Sequence, residues 1–418
     1  MSASTASNWA GNLVYAASRV HRPATIEQLS RIVGESLVIR AVGRAHSFSP
    51  VADTTGDLVC LDGLPASVEI DAGAGEVVVS AGMSYRDVAV ALHRAGYALA
   101  NLASLLDISV AGACATGTHG SGSSVGCLAA DVTGLQLMGP DGDLVELHRR
   151  RDGERLAGSV VALGALGIVT RVTLTVEPAY EVAQQVHEGV PLDELAGRFD
   201  EVFGSAYSVS AFTDWEGEAR VWRKVRTDSA AAAEPGWAGG HSAQRPLHPV
   251  PGMAATGCTT QLGKPGPWYR RLPHFLPEMS AAGGGELQSE LFLPRPAAPA
   301  AIEALRGLAA ALHPVLQVAE VRTVRADDLW LSPCYGRDTA TFHFTWVRDE
   351  AAVRPVLGQV EEQLAELGAR PHWGKLTNLD AGAIVAAYPR AAAFSRLLGE
   401  CDPLGTFGNA FVDRLFRR

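Results

Sequence analysis

The stretch ASLLDISVAGACATGTHGSGSSVG, residues 103–126, constrains this chain more than any other. Gly112, Gly117, Gly120 and Gly122 are interspersed there with Ala, Ser and Thr, so the backbone can approach a ligand with no Cβ in the way. Successive backbone N–H groups in such a loop make a cradle for an anion, and Ser104, Ser109, Thr116, Thr118 and Ser121 add hydroxyl donors. A diphosphate can be held this way without lysine. Apolar Ile108, Val110 and Ala111 interleave with the small residues, which favours an ordered, buried loop over a flexible surface one. The stretch is not a Walker loop, because G-x-x-x-x-G-K-[ST] is missing. Its glycine spacing also departs from the dinucleotide fingerprint of a parallel βαβ unit.

A chain of 418 residues exceeds what one core usually fills, so two domains are expected. Hydrophobic residues at 47% and charged residues at 19% are those of a folded globular protein. A formal charge of -10 argues against a nucleic-acid partner, since neutralising phosphates needs a basic face. The N-terminal MSASTASNWAGNLVYAASRV lacks the charged-then-apolar pattern of a secretory leader, and no run of about 18 apolar residues occurs anywhere. No membrane association and a cytoplasmic location are expected. The six cysteines are widely spaced, without C-x-x-C or a Cys/His cluster, which predicts reduced thiols and no metal.

The periodicity predicts a mixed order of elements. TIEQLSRIV opens with Thr25 as a cap and reads as a helix over 25–33; LVIRAVG and LVCLDGL read as strands. SVEIDAGAGEVVVSAG and GLQLMGPDGDLVELH read as hairpins, SYRDVAVALHRAG as a helix stopped by Gly96, and GIVTRVTLTVEP as a long strand. No regular βαβ repeat emerges, so the fold class is α+β. Residues 229–286 are rich in Gly, Pro and Ala, but Trp237, His248, Trp268 and Phe275 favour a packed loop layer over disorder.

Three further features bear chemistry. His46, in AVGRAHSFSP, sits in a glycine-started turn after a strand; a satisfied buried histidine is the rival to any functional role. In VAEVRTV, Glu320 and Arg322 share one face of a strand, and burying them needs either each other or a polar ligand. In TATFHFTWV, Thr341, His343 and Thr345 share one face and Phe342, Phe344 and Trp346 the other; a half-exposed sheet explains this pattern as well as a site does.

AVGRAHSFS, SVAGACATGTHGSG, GALGIVTRVTL, EVRTV, PHWGK and DPLGTFGNAF, with NWAGN near the N-terminus, occur in an order that resembles the vanillyl-alcohol oxidase/para-cresol methylhydroxylase flavoprotein superfamily, and within it the alditol oxidases. The resemblance implies a two-lobed FAD-binding domain over residues 10–180, completed by 376–418, and an α+β cap domain with an antiparallel sheet over 181–375. It places FAD against Ala41, Val42, Gly43, Arg44, Ala45, Ser47, Ser104, Ser109, Gly112, Thr116, Gly117, Thr118, His119 and Val169. It makes His46 the covalent attachment point, through the 8α-methyl carbon of FAD. Arg44, Leu106 and Asp107 depart from the family pattern.

The resemblance also implies the reaction: a linear polyol such as xylitol or sorbitol gives hydride from C1 to flavin N5, and molecular oxygen then yields hydrogen peroxide. Lys375, Arg322 and Glu320 are the implied catalytic residues, and Ser104, His343 and Thr345 join them around the substrate. A monomer is expected. Two rivals stand beside this reading: a sugar-1,4-lactone oxidase or dehydrogenase of the same superfamily, and a non-catalytic carbohydrate-binding protein.

Overall fold

A computed structural model of the chain describes residues 7–229, 240–279 and 285–417; Trp237 lies outside them. The first part builds two small sheets, besides a two-stranded ribbon of Tyr97–Ala98 with Glu177–Pro178. Arg19–His21, Asp57–Cys60 and Ile39–Val42 pair in parallel, with Asp57–Cys60 in the middle. The helix Ile26–Glu35 connects two of these strands, and Thr25 caps it by accepting from the Gln28 amide. Five antiparallel strands form the other sheet in the order Val68–Asp71, Glu76–Ser80, Ile168–Thr175, Val132–Met138, Leu144–His148. The α+β expectation therefore holds, with one short parallel unit that the patterns did not reveal. The basic run Arg149–Arg151 starts the helix Arg149–Ser159, with Arg149 paired to Asp328.

One apolar core fills this part, and the C-terminal helices Ala391–Cys401 and Ala410–Phe416 pack into it through Phe394, Leu398, Val412 and Phe416. The fully buried Arg40 guanidinium fastens the tail, donating to carbonyls of Gly164 and Phe407 at 3.0 and 2.7 Å and to those of Val51 and Leu163.

An antiparallel sheet of nine strands dominates the second part. Its order is His241–Ser242, Glu181–Pro191, Glu218–Arg226, Ser208–Thr213, Leu316–Val324, Thr339–Val347, Glu286–Pro294, Arg370–Pro371, and Gly266–Pro267 also pairs with Glu181–Pro191. Alternation gives the sheet two unlike faces. Phe342, Phe344 and Trp346 point into a second core, covered by helices Ala298–Gly307 and Glu350–Ala365. The opposite face carries Glu320, Arg322, His343 and Thr345 toward the first part. Within 229–286, Trp268 and His274 are buried, so the described portion of that stretch is a packed layer.

Candidate active site

A cavity of about 830 Å³ runs between the two parts. The strip Ala41–Ser47 lines one side of it, together with Ser104, Ser109, Gly112, Thr116, Thr118, His119 and Val169. Of the residues expected around a cofactor, Gly117 alone is off the wall. It adopts φ +70°, and an added Cβ would meet Pro333 Cδ at 3.0 Å, so it serves the turn rather than the cavity.

The two backbone strips approach closely because glycine allows it. A Cβ on Gly43 would lie 2.0 Å from Ser109 Oγ and 3.0 Å from Ser109 Cβ. Farther along, Gly120 presses on Asn101 and the Leu102 carbonyl, and the Gly122 amide donates to the Thr323 carbonyl at 2.8 Å. The small-residue loop is thus ordered and docked on the opposing sheet. The trough of backbone and hydroxyls fits a diphosphate.

His46 lies half-buried on this side, its ring stacked on Trp9 with centroids 5.5 Å apart. Burial lowers its pKa, opposed by the nearby Asp107. Two departures from the family pattern stand near each other: Arg44 Nε is 3.9 Å from Asp107 Oδ1, which Arg86 Nη2 also approaches, at 3.6 Å.

The facing wall is set by strand register. Phe212, Glu320, His343 and Glu290 form one row across four neighbouring strands, and Val318, Thr345 and Gln288 form the row beside it. Arg322 lies in the next row, opposite Thr341, which is buried beneath the wall and does not reach the cavity. Lys375 enters from the turn after Arg370–Pro371, where Trp373 Nε1 donates to the Leu331 carbonyl at 2.7 Å and Ser49 Oγ to the Trp373 carbonyl at 2.6 Å.

Glu290, which the motifs did not single out, sits at the centre. Its Oε1 accepts from Arg322 Nη2 at 2.7 Å and faces His119 Nε2 at 3.1 Å, while its Oε2 accepts from Lys375 Nζ at 2.7 Å. Burial alone would raise its pKa, but Lys375, His119 and Arg322 outweigh burial and hold the carboxylate well below its ordinary range. Glu320 behaves alike: Arg322 and His274 overcome its burial. Burial lowers the Lys375 pKa; Glu290 pulls it back up and Arg322 pushes it down. His343 is lowered to about 4 by burial and by Lys375, so it is a neutral imidazole.

Two cations and two carboxylates therefore share one buried wall, and hydrogen-bonding capacity is left over: His343 Nε2 is buried with no partner among the described residues. Such a wall suits a ligand bearing several hydroxyls, which can donate to the carboxylates and accept from the cations.

Comparison with known proteins agrees with this geometry. Residues 17–148 match a family model described as FAD binding domain, and 287–415 match one described as D-arabinono-1,4-lactone oxidase. Among solved structures, a cholesterol oxidase from B. sterolicum shares the fold, with a TM-score of 0.77 at 14% identity over 99% of this chain and 96% of that one. The L-gulono-1,4-lactone dehydrogenase of Mycobacterium tuberculosis is 27% identical over 98% of both chains. An alditol oxidase from a Streptomyces species is 48% identical over 97% of both chains. Identity of that degree over nearly the full length of each means that the chain belongs to the alditol oxidase family of FAD-dependent flavoproteins.

Proposed function

We propose that the chain oxidises linear alditols, such as xylitol and sorbitol, at the C1 hydroxyl: alditol and oxygen become aldose and hydrogen peroxide. The observation that carries this reading is the placement of Lys375 and Arg322 on the two oxygens of one buried carboxylate, that of Glu290, beside Glu320. In this reading residues 10–180 with 376–418 bind the cofactor and 181–375 form the cap.

The 41–47 strip and the 104–119 loop would hold FAD, with His46 as its attachment point, and the bound flavin would supply a hydride acceptor that oxygen can reoxidise. The protein's own residues manage the proton and the pose. Burial lowers the Lys375 pKa and favours the neutral amine, which takes the C1 hydroxyl proton and becomes an ammonium beside Glu290, while Arg322 hydrogen-bonds the same oxygen. Glu290 accepts from both side chains, holding them in place, and stays ionised throughout. Glu320, His343, Thr345 and Ser104 meet the remaining hydroxyls. A simple aliphatic alcohol would leave these groups unpaired and is expected to be a poor substrate.

Lactones are the second reading, favoured by the family model over 287–415 and by the Mycobacterium relative. A panel of xylitol, sorbitol and gulono- or galactono-1,4-lactone, followed by peroxide release, decides between them; turnover of lactone alone overturns the alditol reading. Acid-denatured protein that stays yellow supports attachment through His46, and a His46→Ala variant that keeps acid-stable colour excludes it.

A further inference from the structure

The packed layer between the strands Glu218–Arg226 and Glu286–Pro294 contributes one more side chain to the polyol wall. His274 Nε2 lies 3.0 Å from Glu320 Oε1, and both side chains are about 5% exposed. Its other ring nitrogen, Nδ1, is buried with no partner among the described residues. Burial and the neighbouring Lys224 lower His274 to about 4, so the ring is neutral; beside an ionised carboxylate the single proton resides on Nε2 and is donated to Glu320.

The position of this ring is heavily determined. The backbone amides of His274 and Phe275 both donate to the Ser104 carbonyl, at 3.2 and 3.3 Å, which ties the layer to the cofactor side of the cavity. Buried Lys224 Nζ binds the Leu272 carbonyl, and Thr259 Oγ1 donates to the Pro273 carbonyl at 2.8 Å. Phe212 and Trp222 present their edges to the imidazole, with centroids 5.1 and 6.4 Å away. With Oε1 taken by His274, the remaining oxygen of Glu320, Oε2, has looser neighbours: Arg322 Nε at 3.5 Å and His343 Nδ1 at 3.7 Å.

We infer that His274 is a positioning residue for substrate recognition: by occupying Oε1 it fixes the Glu320 carboxylate so that Oε2 accepts from the hydroxyls next to the reacting carbon. The inference rests on the reading of Glu320 as a polyol-binding residue. It also gives the irregular layer a role, as the element that sets a specificity group against the Ser104 loop.

The test uses the flavin-loaded enzyme and steady-state oxygen uptake on xylitol. His274→Phe keeps an aromatic ring in the aromatic box but removes the donor; the xylitol KM should rise roughly tenfold, with kcat within about threefold. His274→Gln, whose amide nitrogen reaches the Nε2 position, should return KM to within about threefold of the parent. A wild-type KM in His274→Phe, or equal impairment of the Gln and Phe variants, overturns the inference. Should His274→Phe fail to load flavin, His274→Asn, whose amide reaches the Nδ1 position only, carries the same comparison with Gln. Glu320→Gln separates the two claims. A wild-type KM there removes the reading of Glu320 and the inference with it; a raised KM there beside an unaffected His274→Phe removes only the role of His274.

Discussion

The cofactor loop and the charged wall face each other across one cavity, yet they are built on opposite terms. The loop recognises with backbone, so its residues are consecutive and small, and its demand on them is mostly the absence of side chain, as at Gly112 and Gly120. The wall recognises with charge, so its groups come from separate strands and turns, and each buried ion needs a partner: Arg322 and Lys375 on Glu290, Glu320 against Arg322. Burying an ion is costly unless it is paired and hydrogen-bonded. Substitutions on the wall should therefore cost chemistry and leave the flavin bound, whereas substitutions in the loop should cost flavin first.

The largest effect is expected at the proposed proton acceptor. Lys375→Met should lower kcat about a thousandfold, the scale of losing a general base, with flavin absorbance unchanged. Loss of flavin in that variant would break the comparison. Glu290→Gln comes next, with kcat/KM on xylitol down about a hundredfold and stability lower by about 3 kcal/mol, because it strands two buried cations. The sign of its pH effect is fixed. Glu290 raises the Lys375 pKa, so its removal lets that pKa fall, and the acid limb of kcat/KM should move to lower pH. An unmoved limb would dissociate Lys375 from the titration.

Gly43→Ala, on the 41–47 strip, tests the close approach of that strip to the loop. The new methyl meets Ser109 Oγ at 2.0 Å, and Ser109 Cβ at 3.0 Å leaves little room for a rotamer change to relieve it. Overpacking of this kind costs about 1–3 kcal/mol, so flavin content should fall severalfold, measured by absorbance per protein, while the loaded fraction keeps its xylitol kcat. Gly153→Ala, with nothing within 4 Å, is the control. A loaded fraction with impaired kcat would mean that the loop does more than hold the cofactor.

The same contrast explains what could be read before the structure. The loop was legible because its physics is local: a run of small residues is visible in one window of sequence. Glu320 with Arg322 and His343 with Thr345 were legible as faces, since alternation on a strand is a local rule as well. Their convergence was not, because register between strands far apart in the chain decides it. Glu290 shows the limit. ELQSELFLP places Glu286, Gln288 and Glu290 on one face, a period-two polar signal as clear as that of Glu320, but nothing local says that this strand neighbours the His343 strand. His274 had no signal at all, and His372 only its place in PHWGK; they sit in turns fixed by tertiary hydrogen bonds such as His372 N–H to the Glu290 carbonyl at 3.0 Å. Gly117 was misplaced for the converse reason, since a glycine in a ligand loop can be there for the turn.

A smaller effect separates the two regions by pH. His274 and His343, both on the wall, are lowered by burial from 6.5 to about 4. In that window the unfolded chain binds protons that the native state refuses, so stability rises with pH from about 4 to about 6.5 and is lost on acidification. The melting temperature should drop over that range, and His343→Gln should flatten part of the slope. A slope unchanged in His343→Gln would assign the acid sensitivity elsewhere.

The smallest expected effect concerns the residue that departs from the family pattern beside His46. Arg44 is 37% exposed at its side chain and its Nε is 3.9 Å from Asp107, an ion pair too long and too solvated to contribute much. Arg86 reaches the same carboxylate oxygen at 3.6 Å, so Asp107 keeps a cation when Arg44 is removed. Arg44→Ala should then cost under about 1 kcal/mol and leave the proposed acid-stable flavin linkage and the xylitol kcat/KM within about threefold of the parent. The outcome matters beyond its size. If Arg44→Ala abolishes attachment of the flavin, a side chain rather than backbone governs the His46 turn, and the division between a backbone-built loop and a charge-built wall fails at the residue where the two would have to meet.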